Sequence, residues 1–138
     1  MNLEAGGLSD ALADLTRRTN DLRRVQCAFE CPHPVLVEDS TVARHLFRIA
    51  QEAVNNALKH SQAKQLNIRL TESEGRVRLE ITDDGKGLPK ASRTSPSIGL
   101  QVMRHRAALL GAELAIESKP GKGVKIICLH QHDHHEKP

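Results

Sequence analysis

The apolar positions Leu8, Leu12, Leu15 and Leu22, with Thr19 in the same series, recur at steps of four, three, four and three. That spacing predicts a helix over Leu8–Leu22, with Ser9 as a cap. Val25, Cys27 and Phe29 then alternate with polar residues, the period of a strand. Pro32 and Pro34 break it, and Val35–Val37 reads as a short second strand. Asp39 or Ser40 caps a long helix running to about His60, whose apolar stripe is Val42, Leu46, Ile49, Ala53 and Ala57. Two alternating strands follow, through Leu66, Ile68, Leu70 and through Val77, Leu79, Ile81. The Glu74-Gly75 turn joins them as a hairpin. After a Ser-, Pro- and Lys/Arg-rich loop over Lys90–Ser97, Leu100, Met103, Ala107 and Leu110 mark one face of a third helix, ended by Gly111. Strands around Leu114–Ile116 and Val124–Leu129, joined at Pro120-Gly121-Lys122-Gly123, complete the pattern.

Adjacent hairpins with only a few helices predict an α+β fold, a two-layer sandwich with the helices on one sheet face. The order is not a βαβ alternation, and no G-x-x-x-x-G-K-[ST] sequence is present. Length changes this picture little: 138 residues fit one domain, residues 1–138. Composition sharpens it. Two Phe are the sole aromatics, so the core is aliphatic and no base-stacking platform is available for single-stranded nucleic acid. A net charge of +3 with interspersed signs also argues against a nucleic-acid partner. No run is long enough to span a membrane, so no membrane contact by this chain is expected, and three cysteines without a disulfide pattern fit a cytoplasmic setting.

Candidate chemistry gathers at three places. Glu52 and Asn56 lie four apart on the long helix, one turn above the other. Asn56 falls roughly 60° from the middle of the apolar stripe, at the edge of the buried face. Its side-chain carbonyl suits one ligand position on Mg²⁺, which otherwise takes phosphate oxygens and water. On these two residues alone, a solvated Glu and a helix-flank Asn is the plainer reading. Next, Asp83-Asp84-Gly85-Lys86-Gly87 ends a strand and opens a loop. A carboxylate there can accept from an exocyclic amine such as adenine N6, and glycines let backbone approach a flat base. Taken alone, this too can be only a turn. Last, Gly99 opens the third helix, where free backbone N–H groups bind phosphate. Arg104 and Arg106 nearby, with Lys59, Lys86 and Lys90, are further cations within plausible reach of a triphosphate, or simply surface residues.

Order and spacing together resemble a family. Gln51-Glu52-Ala53-Val54-Asn55-Asn56-Ala57-Leu58-Lys59-His60 resembles its N box. Asp84-Gly85-Lys86-Gly87-Leu88-Pro89 resembles the G1 box, and Ile98-Gly99-Leu100 through Ala107 resembles the G2 box and its helix. Pro120-Gly121-Lys122-Gly123 resembles the terminal glycine turn. The family is that of the catalytic ATP-binding domains of two-component sensor histidine kinases, in the superfamily shared with gyrase B and MutL. The N-box form and the G-L-x-x-M-x-x-R-A stretch are similar to the nitrate- and nitrite-sensor subfamily.

The resemblance implies the Bergerat ATP-binding fold, with a mixed, mostly antiparallel sheet, and it implies ATP and Mg²⁺ as ligands. Asn56 would coordinate Mg²⁺ and Glu52 would act near the γ-phosphate, these two forming the catalytic pair. Asp84 would read adenine N6, with Gly85 and Gly87 shaping the base pocket. Lys59, His60, Lys86, Leu88, Ile98, Gly99, Leu100 and Val124 complete the implied nucleotide contacts. Residues 88–98 would form a lid, and 130–138 a disordered His-rich tail. Where the family usually carries Thr after the terminal glycine, this chain has Val124, which predicts weakened affinity. His60 falls on the apolar side of an ideal helix, predicting a structural role.

None of the eight histidines sits in a phosphoacceptor context, so phosphotransfer is expected to need a dimerisation domain in the same or a partner chain, with a response regulator downstream. The fragment is expected in the cytoplasm, and the full protein in the inner membrane or free of it. Two alternatives stand beside this reading. One is a related ATPase or an anti-sigma-type serine kinase. The other is a degenerate domain that only binds partners.

Overall fold

The computed structural model describes residues 7–88 and 98–131. Most of the expected lid, with Lys90, and residues 132–138 of the expected tail lie outside the described residues.

Helix α1 (Gly7–Asp21) buries Leu8, Leu12, Leu15 and Thr19, the face anticipated from the spacing. Ser9 lies inside it rather than capping it. Strand β1 (Gln26–Glu30) follows. Val35–Val37 is not a strand: Val35 and Val37 are buried, but the segment pairs with no neighbour. Helix α2 (Ser40–Asn56) is capped by Asp39, whose carboxylate accepts from the Thr41 and Val42 amides at 2.8 and 3.3 Å. These two bonds satisfy donors that a helix start leaves orphaned. The helix does not run on to His60. It gives way at Asn56 to a π-helical turn, Ala57–Ser61, closed by Gln62 in the left-handed region.

Strands β2 (Gln65–Ser73) and β3 (Arg76–Asp83) form the hairpin, with positive φ at both Glu74 and Gly75. Helix α3 (Ile98–Leu110) buries Leu100, Met103 and Ala107. Strands β4 (Glu113–Ser118) and β5 (Val124–Gln131) close the chain. His130 and Gln131 therefore belong to β5, not to a tail.

The five strands run in the order β1-β2-β3-β5-β4. β1 pairs parallel with β2 and the other pairings are antiparallel, giving the expected mixed sheet. Leu66, Ile68, Leu70, Val77, Leu79, Ile81, Ile126 and Cys128 point to one face, against Leu46, Phe47, Ile49, Ala50 and Ala53 of α2. Removing one such side chain, as in Leu79→Ala, costs about 2–5 kcal/mol in a closed core. Among the described residues, no helix is long and apolar enough to cross a membrane.

Candidate nucleotide-binding site

The helical side of the site is set by the pitch of α2. His45, Glu52 and Asn56 are separated by seven and four residues, which at 3.6 residues per turn puts all three on one flank. That flank faces α3. A Cβ built on Gly99 would stand 2.9 Å from Asn56 Oδ1 and 3.3 Å from Glu52 Oε1. The start of α3 thus lies so close to the Glu52/Asn56 turn that a side chain at position 99 would have to push the Asn56 amide aside. The Asn56 Nδ2 group is buried and meets no acceptor among the described residues. A buried amide donor without a partner costs about 1–3 kcal/mol, so its place needs a reason.

The opposite wall is the sheet. Strand period places Ile81 and Asp83 on the same side as Val77 and Leu79, and Asp83 sits opposite Leu66 in the β2–β3 register. A slot runs between the two walls. Ala53, Asn56, Ala57 and His60 line the helical side; Ile81, Asp83, Val124 and Ile126 line the sheet side; Gly87, Leu88 and Leu100 complete it. Asp83 Oδ1 accepts from the Gly85 amide at 2.8 Å. Gly123 (φ +83°) packs on the Asp83 backbone so tightly that a Cβ there would fall 1.9 Å from the Asp83 carbonyl oxygen. The corner is tied further by Leu88 N–H donating to Ser118 Oγ at 2.8 Å and Gly121 N–H donating to the Lys86 carbonyl at 3.0 Å.

Asp84, expected to face the base, points elsewhere. Its Oδ1 accepts from the Lys64 and Gln65 amides at 2.8 and 2.9 Å, and its own N–H donates to the Gln65 carbonyl. The bond from Gln65, with that from Lys64, holds the exposed carboxyl below the usual carboxylate range. The cause is parity: Asp84 follows the last strand residue and turns toward the outside of the β2 start, while Asp83 keeps the inward direction. The alternation Val77, Leu79, Ile81, Asp83 was the signal in the sequence that picks out the slot carboxylate.

Other expected contacts divide. Asn56, Gly87, Leu88, Leu100 and Val124 line the slot, with Glu52 and Gly99 at its helical end and Gly85 buried behind Asp83. His60 lines it too and is exposed, on the π-helical turn that follows Asn56. Lys59 and Lys86 are exposed outside the lining. Ile98, 80% exposed, faces an outer groove with Gln101, Val102, His105 and Leu109. Arg104 is exposed, and Arg106 reaches back to His45 on α2.

The slot is an apolar sleeve with a carboxylate at one end and a primary amide beside a helix start at the other. Such a lining suits a flat base, with an acceptor for an exocyclic amine, and leaves the unpartnered Asn56 amide where an anionic oxygen would satisfy it. The neutral Asn56 Oδ1 and the Glu52 carboxylate are hard oxygens of the kind Mg²⁺ takes. The donor set therefore fits a metal-bound nucleotide. As it stands the cavity measures about 10 Å³, room for about one water.

Sandwich and slot together define a domain of the ATPase class. Residues 41–133 match the family described as "Histidine kinase-, DNA gyrase B-, and HSP90-like ATPase", and the chain belongs to that family. It is 37% identical over 120 residues to the Sensor protein VraS of Staphylococcus saprophyticus, covering 87% of this chain and 33% of that protein. It is 29% identical over 130 residues to the Sensor histidine kinase LiaS of Bacillus subtilis, covering 91% of this chain and 34% of the relative. The chain thus spans about a third of the length of these relatives. Its fold superposes on the histidine kinase domain of a blue-light-activated histidine kinase from Erythrobacter litoralis with a TM-score of 0.73 at 22% identity, covering 90% of this chain and 60% of that one.

Proposed function

We propose that the chain is the ATP-binding catalytic module of a sensor histidine kinase, binding Mg-ATP and presenting its γ-phosphate to a histidine on a separate dimerisation domain. The observation that carries this reading is the pair of polar ends of one apolar slot, the inward Asp83 carboxylate and the unpartnered Asn56 amide. Asp83, in place of Asp84, accepts from the adenine amine, between Gly87 and the Val124 side chain. Asn56 supplies an oxygen to Mg²⁺ and its N–H to a phosphate, and Glu52 stands beside it near the γ-phosphate. Mg²⁺, when bound, neutralises phosphate charge. The α3 start at Gly99 adds backbone N–H groups to the same end.

Catalysis on this account is positioning and charge neutralisation, with an imidazole from the dimerisation domain as nucleophile. The phosphate then passes to a response regulator. The Gln51–His60 form of the N box supports a place near the nitrate- and nitrite-sensor kinases within the family. Val124, buried in the slot wall beside Asp83, offers no hydroxyl to the carboxylate, so affinity is expected to be modest.

Calorimetric titration of the chain with ATP tests the reading. Binding should be measurable with Mg²⁺, weaken in chelator, and lose its Mg²⁺ dependence in Asn56→Ala, which removes the ligand oxygen. No heat at millimolar nucleotide in the wild-type chain would remove the proposal.

A further inference from the structure

At the far end of the α2 flank that carries Glu52 and Asn56, His45 meets Arg106 of α3, with His45 Nδ1 and Arg106 Nη1 3.1 Å apart. Arg106 follows Gly99 by seven residues, two helical turns, so both project from the same side of α3. The two helices are antiparallel and packed along one seam, with Gly99 on Glu52/Asn56 toward one end and Arg106 on His45 toward the other. A guanidinium donates only, so the imidazole Nδ1 must accept, which requires the neutral ring with its proton on Nε2. Arg106 Nε is buried and meets no acceptor among the described residues, so the guanidinium gains no compensating carboxylate there.

We propose that His45 and Arg106 are a positioning pair for the nucleotide site, a latch whose closed state needs neutral His45 and which fixes where the α3 start stands against Asn56. The geometry couples the ends: α3 is a 13-residue rod docked on α2, and a shift at Arg106 displaces Gly99 through a stiff helix. Protonating His45 removes the acceptor and sets a cation against a guanidinium. The other charged groups acting on the ring are Arg44 from α2 and His105 from α3, and Arg48 one turn along α2 is turned toward Gln51 Oε1 at 2.7 Å. Burial first, then Arg106, Arg44 and His105, hold the imidazole below the ordinary 6.5. The latch is therefore closed at neutral pH and opens as pH falls below that value. Its effect on affinity rests on the nucleotide reading above; its mechanical part does not.

The test is a pH titration of the nucleotide-free chain by NMR from pH 8 to 5. His45 should titrate below 6.5, and the Gly99 amide should move with the same midpoint. In His45→Gln, which keeps an acceptor for Arg106 but cannot titrate, that movement of Gly99 should vanish. In Arg106→Gln the His45 midpoint should rise. A merely structural contact would leave Gly99 silent through the His45 titration. Silence there, the same Gly99 curve in His45→Gln, or an unmoved His45 midpoint in Arg106→Gln would each overturn the proposal. A second readout uses nucleotide. From pH 7.5 to 5.5 the wild-type chain should lose about tenfold more Mg-ATP affinity than His45→Gln. The nucleotide's own titration is common to both proteins and cancels. Equal loss in the two would contradict the latch, whereas absence of nucleotide binding with a coupled Gly99 would contradict the Mg-ATP reading alone.

Discussion

The sheet wall of the slot is pinned by a dense set of bonds and close backbone packing, whereas the helical wall ends in the Asn56 amide, whose Nδ2 meets no acceptor among the described residues. Around Asp83 the chain locks together. Gly123 presses on its carbonyl, Gly85 donates to its carboxylate, Ser118 holds the Leu88 amide, and Asp84 straps the corner to the start of β2. Around Asn56 the α-helix has just yielded to a π-helical turn, and the α3 start packs at Gly99 against Glu52 and Asn56. The difference teaches how labour is split. On the proposed reading, the end that would read a base is preorganised by the fold, and the end that would meet phosphates and metal keeps the Asn56 amide donor for the ligand.

The largest break in that contrast should come from Gly123→Val. A Cβ there meets the Asp83 carbonyl at 1.9 Å, in a backbone conformation that side chains rarely adopt. Overpacking with strain costs about 3 kcal/mol or more, and urea unfolding should show that loss together with abolished nucleotide binding. A variant of wild-type stability would mean that the sheet wall is not rigid.

A smaller effect is expected at the strap. Asp84→Ala leaves the Lys64 and Gln65 amides to water, and since the site is exposed the cost should be about 1 kcal/mol or less. Its pH dependence has a definite sign. The folded carboxyl titrates below its ordinary 3.8, so its contribution is present above that value and fades as pH falls through the folded one. Urea melts of wild type and Asp84→Ala should therefore converge below about pH 3.8. A gap that persists or widens in acid would contradict the strap.

Much of this architecture could be read from residue order. The stripe at Val42, Leu46, Ile49 and Ala53, the alternation through Leu66–Leu70 and Val77–Ile81, and the Glu74-Gly75 turn each carry a local period that tertiary packing reinforces. The parts that escaped are those where a period ends. At Asn56 the α-helix becomes a π-helical turn, and nothing in Ala57–Ser61 announces it. Val35 and Val37 look like strand residues because they are buried, yet they find no edge to pair with. At Asp83-Asp84 the motif offers two carboxylates in succession. Strand parity through Val77, Leu79 and Ile81 separates them, putting Asp83 in the slot wall and Asp84 on the β2 start. The His45–Arg106 contact spans 61 residues and has no local signature at all.

The central claim, that the inward Asp83 reads the base and Asp84 only braces the corner, is tested most directly by titrating Asp83→Asn and Asp84→Asn with Mg-ATP under identical conditions. Loss of a charge-assisted hydrogen bond in a desolvated slot should weaken Asp83→Asn by ~100-fold, while Asp84→Asn, still able to accept from Lys64 and Gln65, should stay within about threefold of wild type. The reverse order of the two variants would contradict the account.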